Sequence, residues 1–592
     1  MCGIFGYIGK STDAAQIVFD GLKRLEYRGY DSWGVAASGK LKVESGKLRV
    51  EKHVGKIGTS TLNSQLSTLN SNIALGHTRW ATHGGVTEAN SHPHLDCKGE
   101  IALIHNGIVE NYLELKKPLL KTHKFTSETD TEVIVHMIED ALKKMPIEKA
   151  VREVFSKLKG LSAIVVLYGD KFVACKNGSP LVLGFGDKEY FLASDAAAII
   201  PHTNEVYFMK DNQQAVVDGN SLKIFDLKTA GEVEFKKEKL NWKREDASLG
   251  KFEHFMLKEI HEQPNVIRNI ADNSGEDIEK LCRIIKRSHG IFFIGAGTAF
   301  NACLAGSYLF SKIARAHVNT LAASEFNYLE DFLTRDSLII ALSQSGETID
   351  VVEPLKKAKE KKSKIVGIVN NAGSTIWQMS DYKILLGAGP EMAVASTKAY
   401  VAKIAILILL VYGLVGKTNE GKKLLYGAAD EVERLLYEEM GNIKKIAKVL
   451  SDSEHIFTIG RGLSYQSALE AALKIKEVSY IHTEGLAGGE LKHGPIALIS
   501  KGTPVVVFAP NDETYEAIIS NAMEIKARGG LIIGIGPKKA EVFDYWVKVG
   551  DLGTASIIPN VIPAQLFGYY MAVGKKLDPD KPRNLAKSVT VK

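Results

Sequence analysis

Ile294-Gly295-Ala296-Gly297-Thr298-Ala299-Phe300 recurs 165 residues later as Ile459-Gly460-Arg461-Gly462-Leu463-Ser464-Tyr465. At the same offset Glu325, in Ala323-Ser324-Glu325-Phe326, pairs with Glu490, in Gly488-Gly489-Glu490-Leu491. One residue further along, Glu347-Thr348 aligns with Glu513-Thr514. The apolar run 338–342 likewise matches 505–509. An offset held across three elements marks a duplication. Within the first copy, apolar runs at 290–294, 337–342 and 364–369 alternate with helical patterns, which argues for βαβ units on a parallel sheet. We therefore expect two copies of one α/β domain, at 275–435 and 436–575, followed by a tail at 576–592.

Towards the N-terminus the texture differs. Up to about residue 240 short β-like runs dominate, such as 101–104, 163–167 and 189–192, with helical patterns at 14–27 and 131–144. This predicts an α+β domain over 1–240. The charged stretch Lys236 to Lys251 reads as an inter-domain linker or a charged helical face, with 241–274 expected to be linker and lead-in helix. A length of 592 residues fits three or four domains. The net charge of +6, from 75 basic against 69 acidic residues, gives no case for nucleic acid.

Five scattered cysteines (Cys2, Cys97, Cys175, Cys282, Cys303) form no C-x-x-C, so neither a zinc knuckle nor a disulfide framework is suggested. The apolar run 404–415 is shorter than the roughly 20 residues that a membrane span needs, so a buried helix is expected there. No signal peptide is evident. The expectation is a cytoplasmic protein without membrane association.

Three features carry chemistry. Ser343-Gln344-Ser345-Gly346-Glu347-Thr348 follows an apolar strand and opens a helix. Backbone N–H groups and hydroxyls there can cradle an anion. A helix cap needs one hydroxyl, and this run has three. The second copy has Ala509-Pro510-Asn511-Asp512-Glu513-Thr514 instead. Proline removes a donor and Asp512 repels phosphate, so one phosphate site is expected, in copy one. Copy two keeps Lys474-Ile475-Lys476-Glu477 on a helical pattern and Gly489-Glu490-Leu491-Lys492-His493-Gly494-Pro495 in a turn, the parts for carbonyl and proton-transfer chemistry. The tail around Lys587 either docks or frays. Finally, Cys2 would carry both a thiol and a free α-amine if Met1 is removed, the N-terminal form of nucleophile plus base. Its position alone favours a small buried strand residue.

The motifs then place the chain among known families. Met1–Gly9, Leu25–Ser32 (LEYRGYDS), His77–Gly84 (HTRWATHG), His105–Gly107 (HNG) and Ser127–Glu132 (SETDTE) resemble class II glutamine amidotransferases. Ser343–Thr348, Val394–Ala399 (VASTKA), Glu490–Pro495 and the tail from Arg583 resemble the sugar-isomerase (SIS) fold. Together they resemble the glutamine:fructose-6-phosphate aminotransferase family over nearly the whole chain.

The resemblance implies an N-terminal-nucleophile glutaminase of stacked antiparallel sheets flanked by helices, then two parallel-sheet SIS domains. It implies glutamine and fructose 6-phosphate as substrates, glucosamine 6-phosphate and glutamate as products, and no metal, PLP or nucleotide cofactor. By the same resemblance Cys2 attacks the glutamine amide, with Asn106 and Gly107 at the oxyanion. Arg79 and Asp130 grip the α-carboxylate and α-amine, Thr82 and His83 add contacts, and Trp80 gates an internal ammonia channel. In the second half Ser343, Gln344, Ser345 and Thr348 match the phosphate cradle, and Val394 and Ser396 match sugar-lining positions. Lys587 matches the Schiff-base lysine, Glu477 the proton-moving base and Lys474 a neighbour of the proton path. His493 matches the ring-opening histidine given by a partner subunit, which implies a homodimer. Departures from the family pattern are Trp33 beside the glutaminase motif, where its bulk is expected to alter the pocket, Ala296 and Ala299 in the first repeat, and Pro390 before Glu391. The alternatives are an ammonia-dependent sugar-phosphate isomerase or deaminase with a weak first domain, and a non-catalytic sugar-phosphate sensor.

Overall fold

The structure is a computed structural model that describes residues 2–39, 47–219, 221–240 and 248–590. Its chain contacts define two compact units: Met1–Ser248 with Gly373–Gln378 and Ala586–Lys592, and Leu249–Ala372 with Met379–Leu585.

The first unit is built on alternation. In the strand Gly3–Ile8, Ile4 and Ile8 enter one apolar cluster while Phe5 and Tyr7 enter another. Ile101–Gly107 behaves alike: Ala102 and Ile104 face one way, Ile101 and Leu103 the other. Two-residue periodicity with both faces apolar means a sheet covered on both sides. An antiparallel eight-stranded sheet and an antiparallel six-stranded sheet accordingly stack face to face over Ile4, Leu75, Leu192, Ile104, Val165 and Phe172. The helix Ala14–Leu25 covers the first sheet through Val18, Phe19 and Leu22. The helices Glu132–Leu142 and Ile147–Lys157 cover the second through Ile134, Ile138 and Val151. The result is a four-layer αββα domain, the predicted α+β class.

Three details depart from the sequence reading. Helices Tyr112–Leu119 and Ile147–Lys157 were not anticipated. Within the stretch read as a linker, Glu238–Lys239 is an edge strand paired with Glu205–Phe208, because its backbone completes that sheet edge. Residues 241–247 of that stretch lie outside the described residues. Trp33 does not reshape a pocket: strand alternation turns it into the core, where its ring lies 5.2 Å from Phe19 and 4.5 Å from His53.

The second unit contains the duplication. Two five-stranded parallel sheets have the same order: in each, the first strand in sequence (Ile291–Gly295; His455–Gly460) lies between the second and the third. The repeated glycines explain why that stretch is preserved. Gly297 (φ 54°, ψ −126°) and Gly462 (φ 56°, ψ −129°) sit at the N-caps of equivalent helices, Thr298–Leu309 and Leu463–Ser479. Residues with a Cβ rarely adopt that conformation. Beyond them a single apolar cluster joins both copies. The run 404–415 lies largely in the helix Lys398–Leu414, which is buried from Lys398 to Tyr412. Among the described residues no helix is long and apolar enough to cross a membrane.

Candidate active sites

In the first unit Cys2 stands at the mouth of the central strand. Its Sγ lies 3.6 Å from the Trp80 carbonyl oxygen and accepts from the Trp80 N–H at 3.3 Å. Asn106 Nδ2 and Arg28 Nε donate to the Cys2 carbonyl at 2.9 and 3.3 Å. Buried Arg28 is held in turn by Asp195 at 3.1 Å. Burial raises the Cys2 thiol pKa above its usual value, outweighing the nearby positive charges. The thiol therefore needs a base at neutral pH.

Asn106 is oriented from behind. His77 Nε2 lies 3.1 Å from both the Asn106 Oδ1 and the His105 carbonyl oxygen. A carbonyl only accepts, so His77 is the Nε2–H tautomer and donates. It stacks on His92 at 4.2 Å, and burial lowers its pKa to about 3. His105 contacts the Thr131 and Ser162 hydroxyls at 3.0 and 3.1 Å. Asn106 thus rests on neutral histidines. Next to it Gly107 has φ 141°, and an added Cβ would meet the Leu161 carbonyl oxygen at 2.1 Å, so only glycine fits.

Arg79 ends the strand Ile73–Arg79, and its guanidinium donates to the carbonyls of His83, Gly84 and Gly85. The loop carrying Thr82 and His83 is therefore folded around a buried cation. Asp130 is buried and accepts from the Val109 N–H at 2.6 Å. It lies close enough to Arg79 to act on it electrostatically. One cation and one anion beside a thiol suit the two ends of an amino-acid zwitterion. The structure thus gathers Cys2, Arg79, Trp80, Asn106, Gly107 and Asp130 at one end of the strands.

In the second unit Ser343 closes the strand Leu338–Ser343, and Thr348 is the N-cap of the helix Ile349–Glu360. Between them the chain turns tightly: Ser343 Oγ accepts from Gly346 N at 2.9 Å, and Ser345 Oγ accepts from Glu347 N at 3.1 Å. The Gln344 carbonyl accepts from Asn370 N at 3.1 Å. The Thr348 hydroxyl caps none of its helix's N–H groups. Copy two is different. Asp512 Oδ1 accepts from both the Thr514 N–H at 2.8 Å and the Thr514 hydroxyl at 2.6 Å. Its own carboxylate thus takes donors of Thr514, the N-cap of the helix Tyr515–Lys526.

Lys474 and Glu477 lie one turn apart on Leu463–Ser479 and form a close ion pair. Lys474 Nζ also reaches Thr298 Oγ1 at 3.0 Å and Glu470 at 3.5 Å, which ties the repeated helices of the two copies together. Burial pushes the Lys474 pKa down, but the Glu477 and Glu470 carboxylates outweigh it and hold the ammonium above its usual value. Glu391 accepts from Ser396 Oγ at 3.1 Å and from the Thr397 N–H at 3.0 Å, so it orients the Ser396 hydroxyl. The Val394 N–H donates to the Asp580 carbonyl oxygen at 2.9 Å, and Asp580 carboxylate oxygens accept from Phe255 and Met256 N–H at 2.8 and 2.7 Å. The tail therefore docks: Arg583 lies over the Tyr480 ring at 4.4 Å, and its N–H donates to the Tyr480 hydroxyl at 2.6 Å. His493 is exposed at the end of a short 3-10 turn, Glu490–His493. Lys587 belongs by its contacts to the first unit. Sequence reasoning gave no role to His77, although it opens the HTRWATHG motif, and missed Glu470 and Asp580, which lie in no motif; in the structure they contact Asn106, Lys474 and Val394 respectively.

Fold and site together define a glutamine amidotransferase domain followed by a tandem pair of SIS domains. Residues 77–201 match the glutamine amidotransferase domain family, and residues 284–412 and 449–542 match the SIS domain family. A Pyrococcus horikoshii protein named glutamine–fructose-6-phosphate aminotransferase [isomerizing] is 42% identical over 606 residues, covering 100% of both chains. A Clostridium tetani protein of the same name is 42% identical over 617 residues, again covering 100% of both. The solved C-terminal domain of the Francisella tularensis glucosamine-fructose-6-phosphate aminotransferase is 33% identical with a TM-score of 0.53, over 56% of this chain and 99% of that one. This chain belongs to the glutamine–fructose-6-phosphate aminotransferase (isomerizing) family.

Proposed function

We propose that this chain converts glutamine and fructose 6-phosphate into glutamate and glucosamine 6-phosphate. The observation that carries the reading is the Cys2–Asn106 arrangement in a chain whose other half has one open anion cradle and one closed copy of it. In the first unit the Cys2 thiol gives its proton to its own α-amine, once Met1 is removed, and attacks the glutamine amide. Asn106 Nδ2 and the Gly107 N–H receive the oxyanion, where each such donor is worth roughly 2.7–4 kcal/mol. Arg79 and Asp130 hold the substrate's α-carboxylate and α-amine, with Thr82 and His83 beside them. The amine returns its proton to the leaving nitrogen, and water then frees glutamate from the thioester. The ammonia passes Trp80 without meeting bulk water, where it would be protonated.

In the second half Ser343, Gln344, Ser345 and Thr348 take the phosphate at a helix N-terminus. Val394 and Ser396 line the sugar, and His493 of a partner subunit opens its ring, so the active species is a homodimer. Lys587 condenses with the ketose carbonyl and loses water. Ammonia displaces the lysine as a C2 imine forms. Glu477 then moves a proton from C1 to C2, with Lys474 holding its carboxylate in place. The water lost on condensation balances the one used in thioester hydrolysis. Such an enzyme is cytoplasmic and stands at the entry to amino-sugar synthesis.

The test compares nitrogen donors. Wild type should form glutamate and glucosamine 6-phosphate one to one from glutamine, and Cys2→Ala should make the amino sugar only from ammonium salts. Equal glutamine-dependent rates in the two would overturn the coupled scheme. Borohydride should trap the sugar on Lys587; no adduct would favour a sensor.

A further inference from the structure

Cys97, His123, His136 and Glu139 bring one donor atom each to a common point, all within 4.8 Å of one another. They lie in the first unit but come from three separate segments. Cys97 follows the strand His94–Leu95, His123 follows the helix Tyr112–Leu119, and His136 and Glu139 are one turn apart on Glu132–Leu142. Neither histidine is used by the glutaminase chemistry.

Four of the six edges of the cluster are 3.2–3.8 Å long. Cys97 Sγ is 3.4 Å from His123 Nδ1 and 3.8 Å from His136 Nδ1. Glu139 Oε2 is 3.2 Å from each of the two Nδ1 atoms. A tetrahedral zinc with Zn–S of about 2.3 Å and Zn–N or Zn–O of about 2.0–2.1 Å has ligand-to-ligand edges of about 3.3–3.6 Å. A carboxylate also lies beyond each ring, within ion-pair distance of its far nitrogen. His123 Nε2 is 3.0 Å from Asp140 Oδ2, and His136 Nε2 is 3.7 Å from Glu132 Oε1. A carboxylate behind each imidazole is the usual outer shell of a metal-bound histidine.

The two rings are buried with centroids 4.7 Å apart. A divalent ion among their Nδ1 lone pairs, a Cys97 thiolate and the Glu139 carboxylate balances charge, two positive against two negative.

We propose that Cys97, His123, His136 and Glu139 form a structural zinc site. The mixed sulfur, nitrogen and oxygen set selects zinc over calcium or magnesium, and four protein ligands leave no open position for catalysis. The site fastens the segment before Asp130, because Glu132 also accepts from the Thr126 and Ser127 N–H groups at 2.7 Å each.

The purified full-length protein, prepared without chelators, is analysed for metal by mass spectrometry. The expected result is about one zinc per chain, lost in Cys97→Ser and in His136→Gln. Cobalt substitution should give a thiolate-to-cobalt charge-transfer band that is absent in Cys97→Ser. Removing zinc with phenanthroline should lower the thermal midpoint, and zinc should restore it. Wild type that neither holds zinc nor takes it up from excess overturns the proposal, as does zinc retained undiminished in Cys97→Ser. Cys97 is exposed, so its serine variant tests ligation without emptying the core. Metal content is read independently of turnover, so this test stands whether or not the glutaminase reading holds.

Discussion

Asn106 Nδ2 donates to the carbonyl oxygen of Cys2 at 2.9 Å. The residue assigned to the oxyanion thus also fixes the backbone of the residue assigned to attack. An amide NH2 has two hydrogens, and one is used here, which leaves one for the developing charge. Asn106→Ala should lower glutamine hydrolysis by about 10²–10³-fold. Ammonia-dependent amino-sugar formation should stay near wild type. A steady-state comparison of the two nitrogen donors checks this.

His77 gives a pH prediction of definite sign. Its folded pKa of about 3 lies below the usual 6.5, so between those values the unfolded chain binds more protons. Its contribution is present above pH 6.5 and is lost as pH falls towards 3, at up to about 1.4 kcal/mol per pH unit. Burial also lowers His92, His94 and His105. His77→Gln should therefore flatten the acid decline of the thermal midpoint without abolishing it. An unchanged slope would remove His77 from the account.

The buried ion pairs of Lys474 are tested by truncation. Lys474→Ala leaves Glu470, which is 0% exposed, without its cation. Breaking such a pair from one side costs about 3–5 kcal/mol. Glu470→Gln keeps hydrogen bonds to Thr298 and Asn301 within reach and should cost less. Chemical denaturation of both variants gives the order. A Lys474→Ala protein as stable as wild type would show that the ammonium carries no structural load.

How much of this was legible beforehand follows from the kind of signal each residue leaves. The duplication was readable because Gly297 and Gly462 are required by a positive φ, so the motif survives in both copies. The α+β class was readable in the short apolar strand runs, whereas the stacking of the two sheets was implied only by the family resemblance. The helix Tyr112–Leu119 was not, because it carries Pro118 and buries only Leu119. Trp33 was misplaced because the motif beside it is functional, whereas strand alternation decides where its ring goes. The Cys97 cluster left no local spacing to read; only His136 and Glu139 are one turn apart, and the other two donors arrive through the fold. Conversely, Pro510 and Asp512 read in the sequence as marks against phosphate in copy two, and in the structure the Asp512 carboxylate takes the Thr514 donors.

That contrast between the copies can be turned into an exchange. Ser345→Asp places in copy one the kind of group that Asp512 supplies in copy two. A carboxylate there would accept from the helix N-terminal N–H groups and repel phosphate. The KM for fructose 6-phosphate should rise at least about tenfold, equivalent to about 1.4 kcal/mol. Glutaminase turnover measured without sugar should be unaffected, because the substitution lies in the other unit. Removing the copy-two carboxylate, Asp512→Ser, should leave that KM alone, since Pro510 still withholds a donor in copy two. Sugar-phosphate titrations of both variants decide the matter. If Ser345→Asp bound the sugar as tightly as wild type, the cradle at Ser343–Thr348 would not be the phosphate site.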